Sequence, residues 1–541
     1  MNERPDTAAA NDARRPGTGM ETRAGMKAAA LFMALQPALL ATLGALQTLA
    51  YVHTAWWPMA WLAMAILTAQ LACVNPGRAF VLGWSFGTGW LLAGVWWLFI
   101  SMHRYGGLPA PLAAAAVLAL AAVLSLYLGV AAAAFARWRR GQAGRDALLF
   151  AALWLLAELA RGVLFTGFPW VASGYSQVDS PLAALAPWVG VYGMGAMLAW
   201  MAAMLGFSAL HRPWRSAAGL AAATLAVPII LAMLPVAGFT RPAGELTVEL
   251  VQTNVPQDEK FAAERLPQTL AAVHKALIES RADLVVVPET AVPLLPSQLQ
   301  DFVPGYWQGL LDHFGAAASG AGPATDRTSG RAALVGLPLG DFDRGYTNSV
   351  AGLSAGAPYR YDKAHLVPFG EFIPWGFRWF TALMNIPLGD FTRGRLDPPP
   401  FVAAGQRIAP NICYEDLFGE ELARRFAGGA ASAPTLMANL SNIGWFGPTI
   451  AVDQHLHISR LRTLEFQVPM VRATNTGATA AITHEAVVAA MMLPHTRGKL
   501  VAKVQGREGV TPYAWWTGRF GLAPLALASF VLIALVRRRD V

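Results

Sequence analysis

Long apolar runs alternate with short polar connections over the first 240 residues of this chain and return near its end. A helix of about 20 apolar residues is long enough to cross the hydrocarbon layer of a membrane. The pattern predicts eight such helices, near residues 26–45, 55–74, 79–101, 108–135, 147–165, 182–209, 216–238 and 519–536. A polar insert, residues 240–518, separates the seventh span from the eighth.

The hydrophobic pattern inside the insert is that of an α/β domain, because strand-like and helix-like segments alternate. Strands are predicted at residues 246–254, 284–287, 333–336, 349–353 and 470–474, a helix at 263–281, and Gly/Pro/Ser-rich loops at 315–330 and 396–405. The insert is large enough to bury a hydrophobic core of its own.

Composition also indicates a membrane protein. The chain has 541 residues, of which 55% are hydrophobic and 14% charged, whereas a soluble protein averages about 25% charged residues. Its two cysteines exclude a disulfide scaffold and a Cys-rich metal site. The net charge of +8 comes from basic residues at the ends of the predicted spans, a pattern of membrane orientation rather than nucleic-acid binding.

Arginines and lysines occupy every second connection between the predicted spans. They are Arg4, Arg14, Arg15, Arg23, Lys27, Arg78, Arg137, Arg139, Arg140, Arg145, Arg212, Arg215, Arg537, Arg538 and Arg539. Because cytoplasmic loops carry this excess, both termini are predicted to be cytoplasmic and the insert to face outward, into the periplasm of a bacterium with two membranes. The predicted organisation is a disordered tail at 1–25, seven membrane helices at 26–239, the periplasmic domain at 240–518, and a last helix with its tail at 519–541.

Three residues of the insert suit acyl transfer through a thioester, which needs a nucleophilic thiolate, a base and positive charge for the oxyanion. Glu289 follows a buried strand and Pro288, Lys363 follows Tyr361-Asp362, and Cys413 is the only cysteine outside an apolar span. The backbone N–H of Tyr414 is a natural second oxyanion donor. Taken singly, each residue is also typical of ordinary structure: an inert buried cysteine, a surface turn, or a solvated face.

Two other polar groups have alternative interpretations. Asp453, His455 and His457 have a spacing that metal ligands can adopt, but the crowded basic surroundings favour a polar helix with hydrogen-bonded histidines, so no metal is expected. Glu158 and Arg161 stand one helical turn apart in the fifth span. Charges at membrane depth are costly, so we expect a neutralising ion pair, with a lipid-headgroup contact as the alternative.

Several segments of the insert resemble the nitrilase, or carbon–nitrogen hydrolase, superfamily. They are Pro288-Glu289-Thr290, the run from Tyr361 to Glu371, Ile412-Cys413-Tyr414-Glu415, and the run from Asn439 to Gly447. The resemblance implies a four-layer α-β-β-α sandwich and a catalytic triad of Glu289, Lys363 and Cys413.

Read with its membrane spans, the whole chain resembles the apolipoprotein N-acyltransferase family. The further segments that carry this resemblance are Thr166–Trp170, Gly174–Gln177, Gln454–Leu456 and Arg472–Gly477. It implies a membrane-embedded enzyme that needs no cofactor. Such an enzyme takes an acyl chain from a phospholipid, typically phosphatidylethanolamine, onto Cys413. It then transfers the chain to the N-terminal amine of the diacylglyceryl-cysteine of an apolipoprotein. Nothing in the sequence requires more than a monomer.

The resemblance also implies roles for residues around the triad. Glu371 and Glu415 would support the site, and Phe261, Phe372, Pro374 and Trp445 would contact substrate. Two positions depart from the family pattern: Ile443 stands where an acidic residue is frequent, and Phe261 where tryptophan is frequent. A membrane-tethered amidase using water as the acceptor is the alternative function, and a non-catalytic scaffold is a third.

Overall fold

The computed structural model describes residues 18–210, 214–233, 238–316, 331–378 and 390–538. Most of the predicted tail, residues 1–17, lies outside the described residues, as does most of the predicted loop at 315–330. The remainder of the predicted tail is helical, because the first helix begins at Thr18. The predicted loop at 396–405 contains a short strand, Phe401–Ala403, which the Pro-rich sequence before it obscured.

Each of the eight predicted spans contains a helix. In chain order these are α1 (Thr18–Gln47), α2 (Pro58–Leu71), α3 (Pro76–Val95), α4 (Ala110–Leu124), α5 (Leu126–Trp138), α6 (Ala143–Val163), α7 (Ala186–Ser208), α8 (Trp214–Met233) and, at the end of the chain, α14 (Ala523–Arg537). The helices α4 and α5 together occupy the fourth predicted span.

The described helices support fewer than eight full spans by length and composition. Four are long and apolar enough to cross a membrane: Leu31–Val52, Ala110–Trp138, Ala143–Thr166 and Pro181–Ser208. Two bent pairs raise the number to six if each is one span, since α3 continues into Leu98–Tyr105 at 61° and Pro512–Phe520 into α14 at 92°. The 14 residues of α2 reach only about 21 Å. The count of eight therefore stays a prediction.

Basic residues gather at one end of this helical bundle. Arg139 donates to the carbonyl of Val74 at 2.9 Å, and Arg140 donates to the carbonyl of Arg538 at 2.8 Å. Arg78 donates to Gln36 at 3.1 Å. The first turn of α6 lies at this end, and α6 finishes four residues before Gly167, which contacts the insert. The insert therefore packs on the end of the bundle opposite to these arginines.

The insert contains two six-stranded sheets. The first has the order β12-β1-β2-β3-β4-β5 and the second β11-β10-β9-β8-β7-β6. The strands are β1 (Thr240–Gln252), β2 (Leu284–Val286), β3 (Ala332–Asp341), β4 (Gly345–Leu353), β5 (Tyr359–Asp362), β6 (Phe401–Ala403), β7 (Gln406–Ile412), β8 (Leu436–Ser441), β9 (Met470–Thr474), β10 (Ala480–Ile482), β11 (Val488–Met491) and β12 (Gly498–Gly509). In each sheet three parallel strands, β1-β2-β3 or β7-β8-β9, are flanked by antiparallel ones.

The sheets face each other across an apolar core, and helices cover their outer faces. Alternate residues of β1, Leu246, Val248 and Leu250, meet Ile412 and Leu440 of the second sheet in this core. Three helices, α9 (Leu266–Glu279), α10 (Pro296–Phe302) and α11 (Tyr306–Ala316), pack on the first sheet, and α12 (Ala451–Phe466) and α13 (Pro512–Phe520) on the second. The predicted nitrilase-like α/β domain is confirmed, with α12 between the second sheet and the membrane helices.

Candidate active site

The three residues predicted to react follow three different strands. Glu289 comes shortly after β2, Lys363 directly after β5 and Cys413 directly after β7. Within the first sheet β5 runs in the same direction as β2, because β3 to β4 and β4 to β5 are both antiparallel pairings. Their carboxyl ends therefore share one edge, where open α/β sheets place ligands. Cys413 comes from the second sheet, and the charges of both Glu289 and Lys363 act on its sulfur, so the structure brings all three residues together.

Lys363 lies between two carboxylates. Its Nζ is 2.9 Å from Glu371 Oε1 and 3.5 Å from Glu289 Oε1, and its side chain is only 1% exposed. Burial by itself lowers the pKa of Lys363, but the charges of Glu371 and Glu289 outweigh burial and raise it. Lys363 is therefore a permanent ammonium, a form suited to stabilise negative charge on a substrate oxygen.

Asn348 and Asn442 orient Glu289. The side-chain nitrogen of Asn348 donates to Glu289 Oε1 at 2.7 Å and to Glu371 Oε1 at 2.8 Å. The backbone N–H of Asn442, which follows β8, donates to Glu289 Oε2 at 2.7 Å. Both carboxylate oxygens of Glu289 are thus held, a precondition for a base that acts in one fixed direction.

Cys413 sits on a sharp turn between β7 and a short helical turn, Cys413–Leu417. Its φ is +51°, in the left-handed region that non-glycine residues seldom adopt. Strained backbone of this kind concentrates at functional sites. Burial and the charge of Glu289 raise the pKa of the Cys413 thiol, while Lys363 and the N–H of Asn442 oppose that shift. The thiol therefore needs a base in order to react.

Glu415 connects the Cys413 turn with the segment that follows Lys363. Its Oε2 accepts hydrogen bonds from Tyr361 Oη at 2.6 Å and from the N–H of Ile412 at 2.7 Å. Its Oε1 accepts from the N–H groups of Ala364 at 2.7 Å and His365 at 3.2 Å. These four bonds set the position of the Cys413 turn relative to the segment that follows Lys363.

The neighbouring Tyr414 carries its side chain towards the membrane helices. Its hydroxyl donates to the carbonyl of Gly167 at 3.2 Å, in the connection between α6 and α7. Its backbone N–H immediately follows the Cys413 turn, the place predicted for the second oxyanion donor.

The four residues predicted to contact substrate lie around the site rather than in this polar cluster. Trp445 packs edge-on against Tyr105 at 5.7 Å between ring centroids, beside the membrane helices. Phe372 lies under the guanidinium of Arg393, at 5.1 Å. Phe261 is 36% exposed, and Pro374 is half-buried. The departure at Ile443 is buried in the apolar cluster shared with the membrane helices.

A close contact joins the site domain to the bundle through α12. Gln454 Oε1 accepts from Trp170 Nε1 at 2.8 Å and from Trp97 Nε1 at 3.1 Å. Gln454 Nε2 donates to the carbonyl of Gly94 at 3.0 Å. Phe446 packs on Trp97 with ring centroids 4.1 Å apart. The reactive cluster is thus anchored directly on the ends of membrane helices.

The two histidines considered as metal ligands bind protein atoms instead, and Asp453 is exposed. His455 Nδ1 is 3.0 Å from Arg472 Nη2 and its Nε2 is 3.2 Å from the carbonyl of Cys413. His457 Nδ1 is 3.2 Å from Arg460 Nη1. In the described part of the chain, no group of three or more His, Cys, Asp or Glu residues could hold a metal ion.

The charged pair of the fifth span is an ion pair. Glu158 and Arg161 are 3.4 Å apart and both buried. Arg161 also donates to the carbonyl of Trp170 at 2.8 Å, and Glu158 Oε1 accepts from the N–H of Ser173 at 2.7 Å. The pair therefore fixes the connection between α6 and α7 that meets the site domain.

Three residues of the cluster were missed from the sequence: Asn348, Asn442 and the buried Lys260, whose Nζ donates to the carbonyl of Glu289 at 3.0 Å. Asn348 stands between Thr347 and Ser349 and directly precedes the strand predicted at 349–353, so local pattern gave no signal for it. Asn442 lies within a segment that carried the family resemblance, and Lys260 directly precedes Phe261. Their roles depend on contacts between residues far apart in the chain.

Comparison with known proteins covers both halves of the chain. The profile of the apolipoprotein N-acyltransferase N-terminal domain matches residues 43–204, and that of the carbon-nitrogen hydrolases matches residues 247–513. The apolipoprotein N-acyltransferase of Verminephrobacter eiseniae is 50% identical, over 86% of this chain and 89% of the relative.

Two further relatives with the same name are similar over nearly their full length. The protein of Ralstonia nicotianae is 45% identical over 93% of each chain. The protein of Bordetella bronchiseptica is 42% identical over 93% of this chain and 97% of the relative. With both domains matched and coverage this complete, the chain belongs to the apolipoprotein N-acyltransferase family.

Proposed function

We propose that this protein transfers an acyl chain from a membrane phospholipid, through a thioester on Cys413, to the N-terminal amine of the diacylglyceryl-cysteine of an apolipoprotein. One observation carries the proposal: the buried Glu289–Lys363 pair and Cys413 lie where the insert contacts the ends of the membrane helices. Family membership supports the same activity. The lipid donor would be phosphatidylethanolamine-like, and the protein would act as a monomer without a cofactor.

In the first half-reaction Cys413 attacks the ester carbonyl of the phospholipid. Glu289 takes the thiol proton as the Sγ–C bond forms, which the raised pKa of Cys413 makes necessary. The carbonyl oxygen becomes negative beside the Lys363 ammonium and the Tyr414 N–H. The C–O bond to glycerol then breaks, and Glu289 returns its proton to the oxygen of the departing lysophospholipid.

In the second half-reaction the amine of the apolipoprotein attacks the thioester. Glu289 takes a proton from the amine nitrogen as the N–C bond forms, and the same donors hold the oxyanion. The C–S bond breaks, the amide product leaves, and the proton on Glu289 returns to the Cys413 sulfur. Glu371 and Glu415 act by holding Lys363 and the Cys413 turn in place.

The membrane arrangement belongs to the same proposal. Eight spans would cross a bacterial inner membrane, with domains bounded at residues 25, 239 and 518. The arginines at the end of the bundle opposite to the insert support cytoplasmic termini, since basic residues mark the cytoplasmic side. The insert would then act in the periplasm, where phospholipid reaches Cys413 from the outer leaflet.

A tethered amidase using water as the acceptor is the competing function. The contact of Tyr414 and Trp445 with membrane-helix residues favours the lipid substrate, because a soluble amide needs no such placement. The test is the intact mass of the full-length protein after incubation with phosphatidylethanolamine in detergent, with Cys413→Ala and Cys73→Ala in parallel.

We expect a hydroxylamine-sensitive acyl adduct on the wild type and on Cys73→Ala, and none on Cys413→Ala. Adding a diacylglyceryl-cysteine peptide should then discharge the adduct onto the peptide amine. A folded wild type that takes no acyl chain from the lipid, but hydrolyses simple amides, would establish the amidase instead.

A further inference from the structure

A second lysine, Lys260, is buried at the reactive cluster and has no part in the steps above. It lies in the turn after β1 and is 4% exposed. Burying an ammonium is costly unless it is paired or hydrogen-bonded. Among the described residues its Nζ has one acceptor, the carbonyl of Glu289 at 3.0 Å, and no carboxylate within ion-pair distance. An ammonium has three N–H donors, so one hydrogen bond to a main-chain carbonyl does not by itself account for burying this charge.

The charge of Lys260 acts on two titratable groups, the Glu289 carboxylate and the Cys413 sulfur. Burial lowers the pKa of Lys260 to about 8, against the opposing effect of these two groups. Lys260 is therefore largely an ammonium at neutral pH, within electrostatic range of the sulfur.

The distribution of charge in the cluster indicates what the Lys260 ammonium can do. Lys363 directs its protons to two carboxylates, those of Glu289 and Glu371, and the charge of Glu415 acts on it from further away. When Glu289 takes the proton of Cys413, one negative charge moves from the carboxylate to the sulfur or to the substrate oxygen. The net charge of the cluster does not change, but the charge now lies away from the donors that hold Glu289. A cation near the sulfur lowers the cost of placing the charge there.

We propose that Lys260 is a positioning residue of the acyl-transfer site, which holds the main chain of Glu289 and supplies, in addition to Lys363, a positive charge that stabilises the ionised Cys413. The inference rests on the proposed function for its role in turnover. Its effect on the sulfur is independent of which substrate Cys413 attacks.

Three substitutions separate charge from tethering. Lys260→Gln keeps a donor for the Glu289 carbonyl but removes the charge. Lys260→Arg keeps the charge, and Lys260→Met removes both functions. Lys275→Met is the matched control, because the Lys275 side chain is 72% exposed and pairs with Glu279 at 3.9 Å on the helix surface.

The measurement is the alkylation rate of Cys413 by iodoacetamide from pH 7 to 10, in full-length protein carrying Cys73→Ala so that one thiol remains. At pH 7 Lys260 is an ammonium, and removing a nearby positive charge should raise the apparent pKa of the thiol by about one unit. At this pH the alkylation rate should be about tenfold lower for Lys260→Gln and Lys260→Met, and unchanged for Lys260→Arg and Lys275→Met. Above about pH 8 the wild type loses the Lys260 charge, so its rate should approach that of Lys260→Gln.

A wild-type alkylation profile for Lys260→Gln would overturn the proposal, since the lysine would then be only a tether. Thermal unfolding of each variant identifies any that fails to fold. If Lys260→Met fails to fold, the alkylation rates of Lys260→Gln and Lys260→Arg still show whether the charge of Lys260 affects Cys413.

Acylation by phosphatidylethanolamine is measured on the same samples and should fall about tenfold with the same two variants. Absence of acylation in the wild type would refute the proposed function while leaving the alkylation result on Lys260 intact.

Discussion

The side-chain nitrogen of Asn348 donates a hydrogen bond to Glu289 Oε1 at 2.7 Å. The same nitrogen donates its second hydrogen to Glu371 Oε1, with 2.8 Å between nitrogen and oxygen. The ammonium of Lys363 donates to the same two oxygens, so an amide and an ammonium both bridge Glu289 and Glu371. Two carboxylates this close repel each other unless donors lie between them. The orientation of Glu289 therefore depends on a residue that takes no part in bond making.

Replacing that amide by a carboxylate should disable the site. We expect Asn348→Asp to lower the rate of Cys413 acylation at least about 100-fold, because hydrogen bonds to charged groups contribute about 1.5–3 kcal/mol each and a third carboxylate adds repulsion. Intact mass against time measures the rate. An acylation rate within a few-fold of the wild type would show that Glu289 does not need this support.

Glu415 accepts four hydrogen bonds and donates none, so its amide analogue cannot replace it. In Glu415→Gln one oxygen becomes an NH2 group facing donors, each unsatisfied group costing about 1–3 kcal/mol. We expect acylation to fall at least about 100-fold. Glu279→Gln, on an exposed helix surface, is the control and should react normally; equal rates for the two variants would contradict this role.

The junction between bundle and insert should depend strongly on Gln454. In Gln454→Leu the N–H of Trp170 loses its acceptor, whereas the N–H of Trp97 still donates to the carbonyl of Gly94 at 3.1 Å. We expect a loss of about 1–3 kcal/mol in the free energy of unfolding, measured by thermal denaturation in detergent. The exposed Gln308→Leu is the matched control. A Gln454→Leu midpoint equal to that of the control would mean that the junction is held by apolar contacts alone.

His457 should make the protein sensitive to mild acid. Burial, with the Arg460 guanidinium, lowers the pKa of His457 to about 4, because its Nδ1 accepts from Arg460 and cannot also hold a proton. Between pH 6.5 and 4 the unfolded chain binds this proton and the native protein does not, so stability is present above pH 6.5 and is lost as the pH falls.

The loss from His457 alone should approach about 2–3 kcal/mol. Thermal midpoints measured from pH 7 to 4.5 should therefore fall less in His457→Gln, which cannot be protonated, than in the wild type. Parallel curves for the two proteins would show that the pKa of His457 is the same in the native and unfolded states.

Local pattern was sufficient for much of this fold. The strand predicted at residues 470–474 is β9 residue for residue, and every predicted membrane span contains a helix. Hydrophobic periodicity is a property of neighbouring residues, so it can be recognised without knowing the partners of a segment. Glu289 was also identifiable, because it follows a predicted strand and strand ends are where α/β sheets place their chemistry.

What remained open depended on contacts between distant segments. The bends after α3 and before α14 arise where these helices meet the insert, and they decide how many helices are full spans. The positive φ of Cys413 follows from the turn between β7 and its short helix, and the burial of Lys260 against Glu289 from the packing of the β1 turn on the end of β2.

The sequence by itself determined the membrane helices, the α/β insert and the residue types that can perform acyl transfer. Only the tertiary structure decided that Asn348, Asn442 and Lys260 converge on Glu289, because the register and packing of two sheets set those distances. Hydrophobic pattern specifies which face of a strand is buried, and it contains no information on which distant polar side chain will lie opposite.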